Sequence, residues 1–247
     1  MSRLGVLAGA LLCLLAGPAA AAPGCAPMRF EGEGYVVCEV SAGADLRLFQ
    51  EGAGGAPLGG FPAADRMLGA EGRRLAFAMN GGMYHADRSP VGLLIEDGRE
   101  VAPLVTAEGP GNFGLKPNGV FCVREEGFSV LTTEAYAAAP PACRHATQSG
   151  PMLVIGGALH PRFIEGSDSL NVRNGVGASA DGRTAWLAIS DRPVSFHAFA
   201  RLFRDGLGAP DALYLDGKVS RLYAPGLGRR DFGLPMGPIL GLAEPAR

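Results

Sequence analysis

Short apolar runs that each end in a glycine-containing polar turn recur along this chain. Four of them are LAFAMNGGMYH at 75–85, QSGPMLVIGG at 148–157, NVRNGVGAS at 171–179 and LYLDGKVSRLY at 213–223. Apolar runs of this length favour strands over long helices, and glycine permits the tight turn that follows each one. The 38 glycines and 19 prolines among 247 residues likewise indicate a strand-rich, loop-rich protein.

Turn signals at Asp97-Gly98, Glu125-Glu126-Gly127 and Asp181-Gly182 predict three hairpins. Such hairpins alternate with a few short helices, which predicts an α+β fold with a mixed, mostly antiparallel sheet in a single domain. The hydrophobic content of 47% is enough for a sizeable core in a chain of this length. The clearest helix is expected at 195–207, where phenylalanines recur at helical spacing. We expect the apolar run that ends at Asp216 to pair with the next one, at 219–223, as the last strand pair.

The N-terminus has the features of a secretory signal peptide at 1–22. Arg3 precedes an apolar core at 4–15, and the alanines at 19–22 provide a cleavage site. The mature domain is then 23–247, with no later segment that is long and apolar enough to span a membrane. We expect an exported protein, either periplasmic or secreted.

Four cysteines remain after removal of this signal: Cys25, Cys38, Cys122 and Cys143. An even number in an exported chain predicts two disulfide bonds. Three pairings are open, and we favour Cys25 with Cys38 and Cys122 with Cys143 because each closes a short loop.

Charge and histidine spacing limit the ligands that the chain is expected to bind. The formal net charge is −2, and no basic run is interleaved with aromatic residues, so nucleic acid is not an expected partner. His85, His145, His160 and His197 show no metal-binding spacing. We therefore predict no cofactor and leave open whether a divalent metal is needed. His85 is the one histidine that follows a candidate site motif.

Asp216 is the strongest candidate for chemistry in this sequence. It ends the apolar run at 212–215 and precedes Gly217. A carboxylate at the end of a buried strand can be tuned as an acid, a base or a nucleophile. The alternative is an ordinary Asp-Gly hairpin turn.

Three other motifs carry polar groups where apolar runs end. The guanidinium of Arg173 suits phosphate and carboxylate oxygens, although the residue could instead be solvated or ion-paired. Asn80 could bind a sugar hydroxyl or cap its own turn. The Ser149-Gly150 turn could present backbone amides to an anion or only reverse the chain.

These segments, in this order, resemble the phosphodiester glycosidase family over about residues 75–240. The matching stretches are Asn80–Tyr84, Ser149–Val154, Arg173–Gly177 and Leu215–Ser220. The resemblance implies a hydrolase that cleaves a sugar-1-phosphodiester into a free sugar and a phosphomonoester. Its partner would be a glycosyl phosphodiester or an envelope glycan.

The motifs and the resemblance together give a candidate site with Asp216 and Arg173 as catalytic residues. Asp168 and Asp191 are candidates for a second carboxylate. Family members often have three small residues after the aspartate, whereas Lys218 and Val219 leave less room here. The expected substrate-binding residues are Asn80, Gly81, Gly82, His85, Ser149, Gly150, Asn174, Gly217 and Ser220.

Two other functions agree with the same sequence features. A non-catalytic module that binds phosphorylated glycan or envelope polysaccharide would use Arg173, Asn80 and Lys218 as ligand contacts. A structural exported domain would use its glycine turns only to shape the fold.

Overall fold

The computed structural model describes residues 24–52 and 54–246. The predicted signal peptide at 1–22 lies outside the described residues. Within the described part, no helix combines the length and the hydrophobicity needed to cross a membrane.

The strands form three sheets, and every neighbouring pair within them is antiparallel. The largest sheet has seven strands. They are β1 (Gly24–Phe30), β2 (Glu33–Ser41), β10 (Met152–Ile155), β11 (Ala158–Leu159), β12 (Asn174–Ala178), β13 (Thr184–Ser190) and β14 (Asp211–Asp216). Their spatial order is β1-β2-β13-β12-β14-β10-β11.

The other two sheets have five strands each. One contains β3 (Leu46–Phe49), β4 (Arg73–Asn80), β15 (Leu222–Ala224), β16 (Arg229–Arg230) and β17 (Ile239–Pro245), in the order β16-β15-β4-β17-β3. The other contains β5 (Leu94–Glu96), β6 (Arg99–Ala102), β7 (Gly119–Arg124), β8 (Gly127–Thr132) and β9 (His145–Ser149), in the order β6-β5-β9-β7-β8.

All three sheets contribute to one hydrophobic core, with members such as Val176 and Leu213 from the first, Met79 from the second and Phe121 from the third. Short helices add smaller clusters to the sheets. They are α1 (Phe61–Gly69), α2 (Thr133–Ala138) and α3 (Phe196–Arg201), with a π-helical turn at Leu202–Gly206 and a 3-10 turn at Pro225–Leu227. The fold is α+β and mostly antiparallel, which confirms the sequence prediction.

The helix expected at 195–207 is present in two parts, because the α-helical α3 changes to the π-helical turn after Arg201. Ser195 caps α3, since its side chain accepts a hydrogen bond from the backbone N–H of Ala198 at 3.1 Å. Phe199 and Phe203 are fully buried against the seven-stranded sheet.

Two disulfide bonds join Cys25 to Cys38 and Cys122 to Cys143, the short-loop pairing favoured from the sequence. Cys25 and Cys38 are direct partners across β1 and β2. The first bond therefore ties the edge strand of the seven-stranded sheet to its neighbour.

The predicted pairing of the strands on either side of Asp216 is wrong. β14, which ends at Asp216, pairs with β12 and β10 in the seven-stranded sheet. β15, which follows, pairs with β4 and β16 in a five-stranded sheet. The Asp216-Gly217 turn therefore carries the chain from one sheet to another and is not a hairpin.

Candidate active site

Four strand ends from two sheets meet around Asp216. β14 ends at Asp216, and β12 begins at Asn174, which lies opposite Asp216 in the ladder. β4 ends at Asn80, and β15 begins after Arg221 beside it, with Leu222 opposite Met79. This seam between the sheets brings Asn80, Asn174 and Asp216 together from distant parts of the chain.

The carboxylate of Asp216 is only 7% exposed and is held by hydrogen bonds at both oxygens. Its Oδ1 accepts the backbone N–H groups of Gly217 and Lys218, the latter at 2.8 Å. Its Oδ2 faces Nδ2 of Asn80 at 3.4 Å. Burial raises the pKa of Asp216, while the backbone N–H groups and the charge of Arg221 oppose that rise. An oriented carboxylate with a raised pKa suits proton transfer or nucleophilic attack.

Asn80 is fully buried, and both the nitrogen and the oxygen of its side-chain amide form hydrogen bonds, the nitrogen with Asp216. Its Oδ1 accepts the backbone N–H of Arg221 at 2.8 Å, and its backbone carbonyl accepts Nδ2 of Asn174 at 2.9 Å. It does not cap its own turn. Because Asn80 is enclosed and one N–H of its Nδ2 donates to Asp216, the geometry favours Asn80 as a positioning residue.

Ser220 and Asn174 complete this buried network. The Ser220 hydroxyl donates to the backbone carbonyl of Asp216 at 2.8 Å and lies 3.3 Å from Oδ1 of Asn174. The start of β12, the end of β14 and the following turn are thus fixed relative to each other.

Gly217 is required where it stands because the phenol of Tyr214 lies against it. A Cβ atom at position 217 would be 1.9 Å from the Tyr214 hydroxyl, a separation that no side chain tolerates. The close approach also places the buried phenol beside the Asp216 turn, and burial raises the pKa of Tyr214.

Arg173 is fully buried and is neither solvated nor ion-paired among the described residues. Its Nε donates to the carbonyl of Val194 and one terminal nitrogen to the carbonyl of Ser169, both at 2.8 Å. Its guanidinium carbon lies 3.6 Å from the ring centre of Phe196 and 5.4 Å from that of Tyr214. Within the described part of the chain, Nη1 is left without a hydrogen-bond partner. Arg173 therefore supports the aromatic wall behind the Asp216 turn.

The predicted serine and glycine residues lie at the same strand ends but are buried. The Ser149 hydroxyl donates to the carbonyl of Leu215 at 3.1 Å, which fixes the end of β14 to β9. A Cβ atom on Gly81 would lie 2.9 Å from the backbone of β17, so this glycine permits close strand packing. Gly82 and Gly150 are buried too.

A cleft of about 500 Å³ opens beside the Asp216 turn. Its walls include Gly217, Lys218 and Ser220, and it is rich in charge, whereas Asp216 itself is not among the described residues that line it. The charged lining residues are Lys218, Arg221, Arg229, Arg230, Asp191 and Asp231. This cleft is the candidate active site.

The charges of the cleft do not cancel. Both carboxylates bind the same partner, since Arg229 pairs with Asp191 at 3.1 Å and with Asp231 at 3.0 Å. Lys218, Arg221 and Arg230 form no ion pair with any described residue. The cleft therefore attracts anions, although the chain as a whole is slightly acidic.

Of the predicted second carboxylates, Asp191 lines this cleft. Asp168 lies in an exposed loop and His85 in an exposed turn, and neither is among the described residues that line the cleft. Four charged residues line the candidate site but were not predicted from the sequence: Arg221, Arg229, Arg230 and Asp231. Their one available signal was the basic cluster that follows the Asp216 motif, Arg221 and then Arg229-Arg230.

Comparison with known proteins supports one family. The phosphodiester glycosidase family model matches residues 73–230. An uncharacterized protein of Escherichia coli (strain K12), YigE, is 33% identical over 181 residues, which cover 73% of this chain and 70% of that protein.

Two solved structures share the fold at low sequence identity. The zebrafish N-acetylglucosamine-1-phosphodiester alpha-N-acetylglucosaminidase catalytic domain, auto-inhibited by its pro-peptide, has a TM-score of 0.59 at 15% identity, covering 88% of this chain and 81% of that one. A hypothetical protein from Synechocystis has a TM-score of 0.56 at 15% identity, and the match covers 89% of this chain and 61% of that one.

Proposed function

This chain belongs to the phosphodiester glycosidase family, and we propose on that premise that it hydrolyses a sugar-1-phosphodiester to a free sugar and a phosphomonoester. The observation that carries the proposal is the position of Asp216. Its buried, hydrogen-bonded carboxylate lies at the turn that forms one wall of a cleft with three unpaired cationic side chains.

The reaction breaks the bond between the anomeric carbon and the phosphate oxygen. The electron pair leaves with the phosphate, and water supplies the hydroxyl group that replaces it. Because a phosphomonoester anion is a stable leaving group, the cations of the cleft take over much of the work of a general acid. Lys218, Arg221 and Arg230 are placed to neutralise that anion.

Asp216 then acts on the sugar carbon, either as a nucleophile or as the base that activates water. Both roles need its ionised form, which Arg221 and the backbone N–H groups favour against the effect of burial. Arg173 acts indirectly, by holding Phe196 and Tyr214 behind the turn. Of the two predicted candidates for a second carboxylate, Asp191 is the one that lines the cleft.

We also propose that the protein is exported to the periplasm or beyond. The N-terminal sequence has the pattern of a signal peptide, and the two disulfide bonds suit an oxidising compartment.

The test is release of free sugar from a panel of sugar-1-phosphodiesters by the wild type and by Asp216→Asn. We expect turnover by the wild type and a loss of at least about a thousandfold in the variant. Asp168→Asn is the matched control, because it removes an exposed carboxylate outside the cleft. Full turnover by Asp216→Asn would show that this carboxylate is not the catalytic one.

A glycan-binding module is the second candidate, and the observation that favours it is Lys218 at the cleft wall, where the family often has a small residue. Saturable binding of a glycosyl phosphate by the folded wild type, with no sugar released from any member of the panel, would favour it over the hydrolase.

A further inference from the structure

The cleft beside Asp216 continues into a second cavity, here called the trough. The two share Arg221, Arg230, Asp231 and Phe232 as lining residues. The trough has a volume of about 540 Å³. Its remaining walls include the apolar side chains of Phe61, Pro62, Tyr223 and Met236, with the charged Asp65 and Arg66 beside them.

The loop between β16 and β17 leaves apolar side chains in solvent at this junction. Phe232 is 95% exposed and Leu234 is 78% exposed. The loop is tied to the cleft, because the Arg221 guanidinium donates to the backbone carbonyl of Leu234. Exposed apolar groups that gather beside a cavity are typical of a binding surface.

We propose that the phosphate of the substrate is esterified to a lipid alcohol, so that the substrate class is a glycosyl phosphate ester of a long apolar chain. The phosphate binds among Lys218, Arg221 and Arg230, and the chain lies in the trough against Phe232. This proposal rests on the proposed function and specifies its leaving group.

The lining of the two cavities supports this assignment. Gly217 and Lys218, whose backbone N–H groups bind the Asp216 carboxylate, line the cleft together with the unpaired cations, and the trough adds apolar side chains. These surroundings suit a sugar, a phosphate and a hydrocarbon chain. A second sugar in the trough would lose hydrogen bonds to water against the exposed Pro62 and Phe232. An alkyl chain instead gains affinity there, by up to about fourfold for each methylene group that it buries.

The first test measures binding without turnover. Decyl phosphate, kept below its micelle-forming concentration, and methyl phosphate are titrated into the full-length protein carrying Asp216→Asn. We expect decyl phosphate to bind at least about tenfold more tightly than methyl phosphate. Adding Phe232→Ala should remove most of that preference, whereas adding Lys218→Met should weaken both ligands by a similar factor.

The matched control is Ile164→Ala, which removes an apolar side chain that is 71% exposed but lies outside the cleft and the trough. It should leave the decyl preference unchanged. Equal affinity for the two phosphates would overturn the proposal. Decanol binding as tightly as decyl phosphate would also overturn it, because the apolar surface would then act without the phosphate site.

A second test separates this proposal from the hydrolase itself. The wild type is given one sugar-1-phosphate esterified either to methanol or to decanol. Hydrolysis of both with equal kcat/KM would leave the hydrolase standing and contradict the lipid leaving group. Tight binding of decyl phosphate with no hydrolysis of either ester would support the trough and contradict the hydrolase.

Discussion

Asn80 and Asp216 lie 136 positions apart in the chain, yet the Asn80 amide nitrogen is 3.4 Å from the Asp216 carboxylate. The same amide accepts the backbone N–H of Arg221, so one side chain contacts both ends of the turn at 216–221. This contact joins a strand of one sheet to the end of a strand of another.

Replacing Asn80 should impair activity more than stability alone explains. Asn80→Ala leaves the buried N–H of Arg221 unpaired, which should lower the free energy of unfolding by about 1–3 kcal/mol. Because Asp216 also loses its lateral contact, kcat should fall by about a hundredfold in protein that is still folded. Steady-state kinetics and denaturant unfolding together would check this.

Asn118→Ala is the control for removing a buried asparagine, since the side chain of Asn118 bonds to Phe113 and Thr133 instead of Asp216. It should lose stability with little change in kcat. Similar kcat losses in both variants would contradict a positioning role that is specific to Asn80.

Because Tyr214 packs on Gly217, a second substitution at Tyr214 should restore activity that is lost on replacing Gly217. Gly217→Ala should displace the Asp216 turn and lower activity by about a hundredfold, because the added Cβ overlaps the Tyr214 hydroxyl. Adding Tyr214→Phe removes that oxygen and should recover a large part of the lost activity. A double-mutant cycle would measure this non-additivity of the two substitutions. Gly226→Ala, with no atom within 4 Å of its new Cβ, should have no effect. An additive double mutant would show that this contact does not set the turn.

The charge of Arg221 predicts a shift in the pH profile. Arg221 lowers the pKa of Asp216 against the effect of burial, and its backbone N–H survives a side-chain change. Arg221→Gln should therefore raise the pKa of Asp216 and move the acid limb of kcat/KM to higher pH. Arg99→Gln, which loses a surface ion pair with Glu51, should leave the limb in place. If the acid limb of kcat/KM stays at the same pH in Arg221→Gln, the ionisation of Asp216 does not control that limb.

His145 predicts a pH dependence of stability that does not involve the active site. Burial lowers its pKa from 6.5 to about 4, so between these values the unfolded chain binds a proton that the folded protein does not. Stability conferred by neutral His145 is fully present above pH 6.5 and is lost as the pH falls towards 4. The free energy of unfolding should fall by about 3 kcal/mol at most through this effect.

His145→Asn tests this effect, because an asparagine oxygen can replace Nδ1 as the acceptor for the backbone N–H of Asp97. Denaturant unfolding at intervals from pH 7 to pH 4 should give a shallower decline for this variant than for the wild type. A wild-type slope in His145→Asn would refute the assignment.

Local signals in the sequence were sufficient for most of the strands and turns. The turns at Asp97-Gly98, Gly127 and Asp181-Gly182 each join consecutive antiparallel strands, as predicted. Asp216-Gly217 has the same local signature but a different outcome, since the partners of β14 and β15 lie elsewhere in the chain. Long-range strand pairing, which a dipeptide does not encode, decided that case.

The candidate site shows the same limit. The sequence indicated Asp216, Asn80 and Arg173 as polar groups at strand ends, and all three lie at the seam or behind it. It did not indicate that Arg173 would be bonded to backbone carbonyls and covered by Phe196, because that depends on tertiary packing. β9 was also missed, since its buried polar residues Thr147 and Gln148 do not resemble a core strand.

The passage of the chain between sheets at Asp216 has a consequence for the folding of the protein. Neither sheet alone contains the site, because Asn80 comes from one and Asp216 and Asn174 from the other. A molecule with only one of these sheets formed, or with the two formed but not docked, has no oriented carboxylate. Recovery of turnover during refolding would therefore report the docking of the sheets, and a partly folded molecule would be catalytically silent.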